Sequence, residues 1–242
     1  MTENAPLIKH IEEFRKRIIC SAAAIILASS ISYLYKEKIL TFFIRYIEKA
    51  VFLAPHEAFV SYLKLSLFSG VLLASPFIIY QIWAFAWFSL KPPEKKYTAI
   101  YGIFSFFLFT AGCSFGYFLG LPIAIDFFMG FANNQLLPMI SIGRYINFCG
   151  ILILLFGILF ELPLVVFFVT DLELITPQQL SSKRRHIIVI IFILAAILSP
   201  PDIFTQLLIA IPLYLLFEFS VILAKIAKKQ KTPKRNYYKK NH

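Results

Sequence analysis

Histidine, cysteine and acidic side chains are scarce in this chain of 242 residues, which has four His, three Cys and 13 Asp plus Glu against 24 Lys plus Arg. His10, His56, His186 and His242 all stand outside the apolar runs, so no imidazole is available there for a Ser-His dyad or a buried metal. HExxH, P-loop and Gly-rich dinucleotide patterns are missing, so the sequence offers no basis for an enzyme, a metal or an organic cofactor. Cys20, Cys113 and Cys149 are odd in number, have no metal-like spacing and lie in apolar runs. They read as small hydrophobes rather than a disulfide framework.

Apolar side chain is what the sequence has in abundance: 59% hydrophobic residues, 27 Phe and a mean hydropathy of +0.76. No single soluble core could hide that much, so the chain uses lipid as solvent. Six apolar segments are expected to cross it, at residues 18–35, 65–86, 98–121, 146–170, 187–199 and 207–224. About 20 helical residues span a hydrocarbon core of roughly 30 Å, so the fifth is short, and the sixth, with Pro212 inside it, also reads as short. The N-terminus is too polar for a secretory signal and no small-residue cleavage site follows the first run, which is therefore expected to remain as a membrane helix.

Basic residues sort by side. Eighteen of the 24 Lys and Arg fall in the N-terminal tail, the second-to-third turn, the fourth-to-fifth loop and the C-terminal tail, which puts both termini in the cytosol. The net charge of +11 is thus a topology signal before it is a nucleic-acid signal, and the basic C-terminal run suits anionic lipid equally well. The expected divisions are an amphipathic cytosolic segment at residues 1–17 lying along the membrane surface, a bundle at 18–224, and a disordered basic tail at 225–242. Ser66, Gly70 and Ala74, and likewise Gly112, Gly116 and Gly120, recur every four residues, a spacing that lets helices approach closely. Residues 36–64 and 122–145 are long enough to form a cap, and 58–63 suits a short helix.

Residues 75–96 bring together Tyr80, Trp83, Trp87, a Lys-bearing turn and one carboxylate, Glu94. Glu94 is the leading candidate for contact with a basic ligand, although an acid in the first turn after Pro92 and Pro93 also suits a helix dipole. Glu12 with Lys16 and Glu13 with Arg17 are spaced as helix-supporting ion pairs. Glu161 and Glu218 lie inside apolar runs and should face protein or a polar cavity, because charge in hydrocarbon costs roughly 2.5–3.5 kcal/mol on insertion scales. Gln206 is a further polar group where an apolar one is expected.

Taken together, HIEEFRKR, SPFIIYQIWAF, LKPPEKK, FGILFELPL, LSPPDIFTQ and IPLYLLFE resemble, in order and over nearly the whole chain, the TatC family of multi-spanning receptor subunits of the twin-arginine protein translocase. Two departures stand out: Phe88 replaces a common Pro, and the loop after the first helix diverges. The resemblance implies an all-α membrane protein of six helices in a concave, glove-like bundle in the bacterial inner membrane. It also implies binding of twin-arginine signal peptides of folded precursors, TatA- and TatB-type single-span partners, a multimeric complex, and export driven by the proton-motive force.

By the same resemblance, Glu13 and Glu94 match arginine-binding positions, with Arg15, Arg17 and Phe85 flanking them. Glu161 and Gln206 match polar positions that face partner helices, while Pro76 and Asp202 are expected as structural turn or cap residues, Asp202 as the cap of the sixth helix at Ile203. Two alternatives carry different expectations. A proton-coupled secondary transporter of a small solute would use Glu161 as coupling acid and show inverted repeats; a scaffold would tolerate replacement of Glu13 or Glu94 without change in cargo binding.

Overall fold

Helices account for almost every element of the computed structural model, which describes residues 4–47, 50–89, 98–131, 139–172, 174–198 and 203–239. α1 (Asn4–Leu34) and α3 (Glu57–Ser89) pack along one another, with α2 (Lys36–Phe43) and a 3-10 turn (Ile44–Tyr46) between them. α4 (Thr98–Phe115) runs through one π turn (Gly116–Gly120) into α5 (Leu121–Met129). α6 (Ile142–Phe160) and α7 (Leu162–Asp171) are one crossing interrupted at Glu161, and α8 (Pro177–Ser182), α9 (Arg184–Leu198) and α10 (Ile203–Lys239) complete the chain.

Among the described residues, five stretches are long and apolar enough to cross a membrane: His10–Leu34, Glu57–Ala86, Ile100–Met129, Ile142–Asp171 and Ile203–Ile226. α9, with 15 residues, reaches about 22 Å and is the short fifth helix expected. The sixth helix is not short. Its apolar part covers 24 residues, because Ile203 and Phe204 extend it ahead of residue 207 and Pro212 does not interrupt it.

Three further expectations are corrected. The segment placed on the membrane surface is the beginning of α1 itself, which continues unbroken into the first crossing, since no Gly or Pro intervenes between its charged and apolar parts. Residues 58–63 are not a separate helix but the first turns of α3. The basic tail continues α10 as far as Lys239, through Pro233.

The interior is centred on α6. Phe156, Ile146 and Cys149 are fully buried and join Leu65 of α3, Leu121 of α5, and Leu213 and Val221 of α10. α1 shows the reverse arrangement suited to lipid: Ile18, Ile19, Ile26, Leu27 and Ile31 face outward while Ala28 and Ser32 are buried. The small residues act as expected. A Cβ on Gly70 would lie 2.6 Å from the Ser29 backbone of α1, and one on Gly112 would lie 2.4 Å from the Phe156 carbonyl oxygen. Close backbone approach, rather than large interlocking side chains, holds these pairs.

Pro76 lies inside α3, so it marks neither a turn nor a cap. Its ring removes the donor that would reach the Leu72 carbonyl, and the Ser75 hydroxyl donates to that oxygen instead, at 2.7 Å. Away from the N-terminal end, Val51 pairs with Ser141 in an isolated parallel bridge, donating to Ile140 and accepting from Ile142, both at 2.9 Å. Tyr117 and Tyr145 each donate to the end of α2, at the carbonyls of Phe42 and Phe43, both at 2.7 Å. These bonds turn the two long connections into one cap. Cys149 is buried and Cys20 and Cys113 are half-buried, all as free thiols.

Candidate functional site

At the end of the bundle where the chain begins, the last turns of α3 meet the early turns of α1. The 3.6-residue period puts Glu13 and Arg17 on one face of α1, and their side chains pair at 2.5 Å. Arg17 also donates to Gln81 Oε1 of α3 at 2.9 Å, so a single guanidinium links an acid on one helix to an amide on the next. Beside them the rings of Phe14 and Phe85 tilt against each other with centroids 5.5 Å apart. Sequence spacing anticipated the Glu13–Arg17 pair; Gln81, a polar residue inside an apolar run, was the available signal for the third member and was passed over.

Both charged side chains are mostly covered, with 20% of Arg17 and 25% of Glu13 exposed, so one edge of the pair is reachable from solvent. Arg17 meets Glu13 at Oε1, and a carboxylate has roughly four acceptor positions, so Glu13 retains capacity for a second cationic donor. Arg17 Nε is buried without a hydrogen-bond partner. Arg15, Glu12 and Lys16 are exposed on the outer faces of the same helix. Glu94 and Asp202 lie outside the described residues, as do all of residues 90–97.

The two polar positions expected to face partner helices are held on different helix pairs. Glu161, at the break between α6 and α7, accepts from the Ser105 hydroxyl of α4 at 2.8 Å. Gln206 donates to the Phe192 carbonyl of α9 at 3.0 Å. Each is therefore satisfied inside the bundle by a neighbour the sequence did not indicate. Glu218, the other acid in an apolar run, accepts from Arg184 at 3.0 Å and from Tyr214 at 3.1 Å, closing α9 onto α10. Among the described residues no group of His, Cys, Asp and Glu is arranged to hold a metal ion.

Comparison with known proteins bears directly on this arrangement. Residues 9–212 match the family model described as Sec-independent protein translocase protein (TatC). The chain is 36% identical over 236 residues to the Sec-independent protein translocase protein TatC of Desulforapulum autotrophicum, covering 95% of this chain and 87% of that one. It is 39% identical to the protein of the same name from Carboxydothermus hydrogenoformans, over 92% of this chain and 93% of that one. A crystal structure of the twin arginine translocase receptor TatC superposes with a TM-score of 0.82 at 37% identity, covering 90% of this chain and 99% of that one. None of these relatives supports the small-solute transporter alternative.

Proposed function

The chain belongs to the TatC family of Sec-independent protein translocase proteins, and on that premise we propose that it is the core receptor of a twin-arginine translocation system, reading the arginine pair of signal peptides on folded precursors. Family membership makes it a multi-pass component of a translocase rather than an enzyme. The reading extends this to a bacterial inner membrane with both termini in the cytosol, which agrees with the side carrying most of the Lys and Arg.

The observation that carries the proposal is the Glu13–Arg17–Gln81 constellation beside Phe14 and Phe85. It already binds one guanidinium, that of Arg17, by the charge-assisted geometry an arginine of a signal peptide would use. An incoming arginine competes for Glu13, and Glu94, in the sequence that follows α3, supplies the acceptor for the second. Lysine is a poorer ligand because its ammonium cannot make the planar paired contact. Phe85 gives the apolar part of the signal a ring to slide over, Arg17 borders the same surface, and Arg15, exposed on an outer face of α1, flanks it by the family resemblance alone. Single-span TatA- and TatB-type partners then dock near Glu161 and Gln206, displacing or sharing the bonds with Ser105 and Phe192, and the proton-motive force drives transport.

The test is crosslinking in native membranes between a cysteine probe beside Glu94 and a signal peptide bearing Arg-Arg or Lys-Lys. Crosslinks to the Arg-Arg form, lost in Glu13→Ala and Glu94→Ala, are the expected result. A hydrogen bond to a charged group contributes about 1.5–3 kcal/mol, so each variant should weaken capture by roughly 10- to 150-fold. Equal crosslinking of both peptides, or undiminished crosslinking in both variants, refutes the reading.

A further inference from the structure

A cavity of about 420 Å³ lies at the other end of the bundle, where α3 and α6 begin. Its wall holds His56, Lys64 and Arg144 as potential cations, Ser61 and Asn147 as neutral donors, and one carboxylate, Glu57. Glu57 is already engaged: it accepts from the Ser141 hydroxyl, from the Gly143 amide at 3.0 Å and from the Leu53 amide at 2.5 Å. It forms no ion pair with Lys64 or Arg144, and among the described residues the ion pairs are those of Arg17 and Arg184. Among the described residues, the two cations facing the cavity therefore have no acidic partner.

Ser61 points to a missing ligand independently. It is 2% exposed, lines the cavity, and its Oγ has no hydrogen-bond partner. A buried hydroxyl without a partner costs about 1–3 kcal/mol, so such a group is expected to meet an acceptor. The space beside it is kept open by Gly143, where a Cβ would stand 3.2 Å from Ser61 Oγ and 3.0 Å from Glu57 Oε1. Lys64 is seven residues into α3, about 10 Å along its axis from Glu57, and that helix is one of the membrane-spanning stretches. A lysine next to an apolar crossing and without a carboxylate is expected to meet a polar counterpart.

We propose that this cavity binds a phosphate group, that of an anionic phospholipid headgroup or of a soluble phosphate. The donors come from two helices and comprise an ammonium, a guanidinium, a hydroxyl and an amide. That set suits a tetrahedral oxyanion with acceptors in several directions better than a planar carboxylate. The cavity lies at the ends of two stretches long and apolar enough to cross a membrane, a place that would give a headgroup access while its acyl chains stay in the lipid. Occupation would brace the α3–α6 junction from the face opposite the Glu13 constellation, and does not depend on what binds there.

The experiment uses the full chain in a neutral detergent, with native mass spectrometry and thermal unfolding as readouts. The probes are phosphatidylglycerol, phosphatidylcholine and inorganic phosphate. Phosphatidylglycerol should bind and raise the unfolding temperature, with apparent affinity reduced tenfold or more in Lys64→Gln/Arg144→Gln and two- to fivefold in Ser61→Ala. It should be unchanged in Lys183→Gln/Arg185→Gln, which removes the same charge elsewhere. Competition by millimolar inorganic phosphate assigns the site to a soluble anion, and binding by phosphatidylglycerol without such competition assigns it to a headgroup; either supports the proposal. Unchanged binding in the cavity variants, or an equal loss in the control, overturns it. Should the double variant fail to fold, photoreactive phosphatidylglycerol on the unmodified chain decides: adducts within residues 56–64 or 141–147 support the site, and adducts confined to other regions overturn it.

Discussion

Gly112 and Gly102 lie on the same helix, α4, and a methyl group added at each should act in opposite directions. At Gly112 the new Cβ would stand 2.4 Å from the Phe156 carbonyl oxygen, 2.9 Å from its carbon and 2.8 Å from Phe160 Cβ. Two of these are backbone atoms that no rotamer change can move. Relief therefore requires α4 and α6 to separate by about an ångström, and overpacking of this kind costs about 1–3 kcal/mol. At Gly102 the nearest atoms belong to the Trp83 side chain at 3.8–4.0 Å, an ordinary contact. There Ala gains helix propensity of at most about 1 kcal/mol, and less where the unfolded state in detergent keeps its helices. Reversible unfolding in mixed dodecyl maltoside and dodecyl sulfate micelles, followed by circular dichroism, should rank Gly102→Ala at or above the parent. Gly112→Ala should fall below it by about 1–2 kcal/mol, a five- to thirtyfold change in the folded-to-unfolded ratio. Equal stability of the two variants would refute the reasoning, because it would mean that the α4–α6 contact has slack that the backbone distances deny.

Other positions offer independent checks. Tyr145→Phe leaves the Phe43 carbonyl without its donor and should lower stability in the same assay by about 1–2 kcal/mol, and a change under a few tenths would remove Tyr145 from the cap. Glu57→Ala removes the acceptor shared by the Leu53 and Gly143 amides, so hydrogen exchange should accelerate at residues 50–57 and 139–144 while the centre of α6 keeps its protection. Glu161→Gln keeps an acceptor for Ser105 and should retain export of twin-arginine cargo, whereas Glu161→Leu strands the hydroxyl and should lose most of it. Export equally poor in both variants would mean that the carboxyl proton or charge itself is required.

What could be read from the sequence was whatever repeats along one helix or between helix and solvent. The apolar runs marked the crossings because lipid admits only backbone that satisfies its own hydrogen bonds, and the four-residue spacing of Gly112, Gly116 and Gly120 marked a contact face. Glu13 and Arg17 were legible as a pair because both lie on α1, one turn apart. The length of the sixth helix was misjudged from hydropathy near Pro212, since a proline in a membrane helix need not end it when its neighbours are packed. Pro76 shows the same effect, with Ser75 supplying the missing bond.

Pairings between distant segments were settled only by the tertiary structure. Gln81 with Arg17, Ser105 with Glu161, Phe192 with Gln206 and Tyr145 with Phe43 join residues on different helices, and no local pattern encodes which helix faces which. The same holds for Glu57, which the sequence did not single out, yet whose carboxylate ties Leu53 to Ser141 and Gly143 across the cap. Composition and periodicity determine that this chain enters a membrane, how often it crosses and which faces its helices bury, because those depend on transfer free energy summed over each segment. Which polar group meets which depends on how the six helices are rotated and staggered against one another, and that is decided by close packing over the whole bundle.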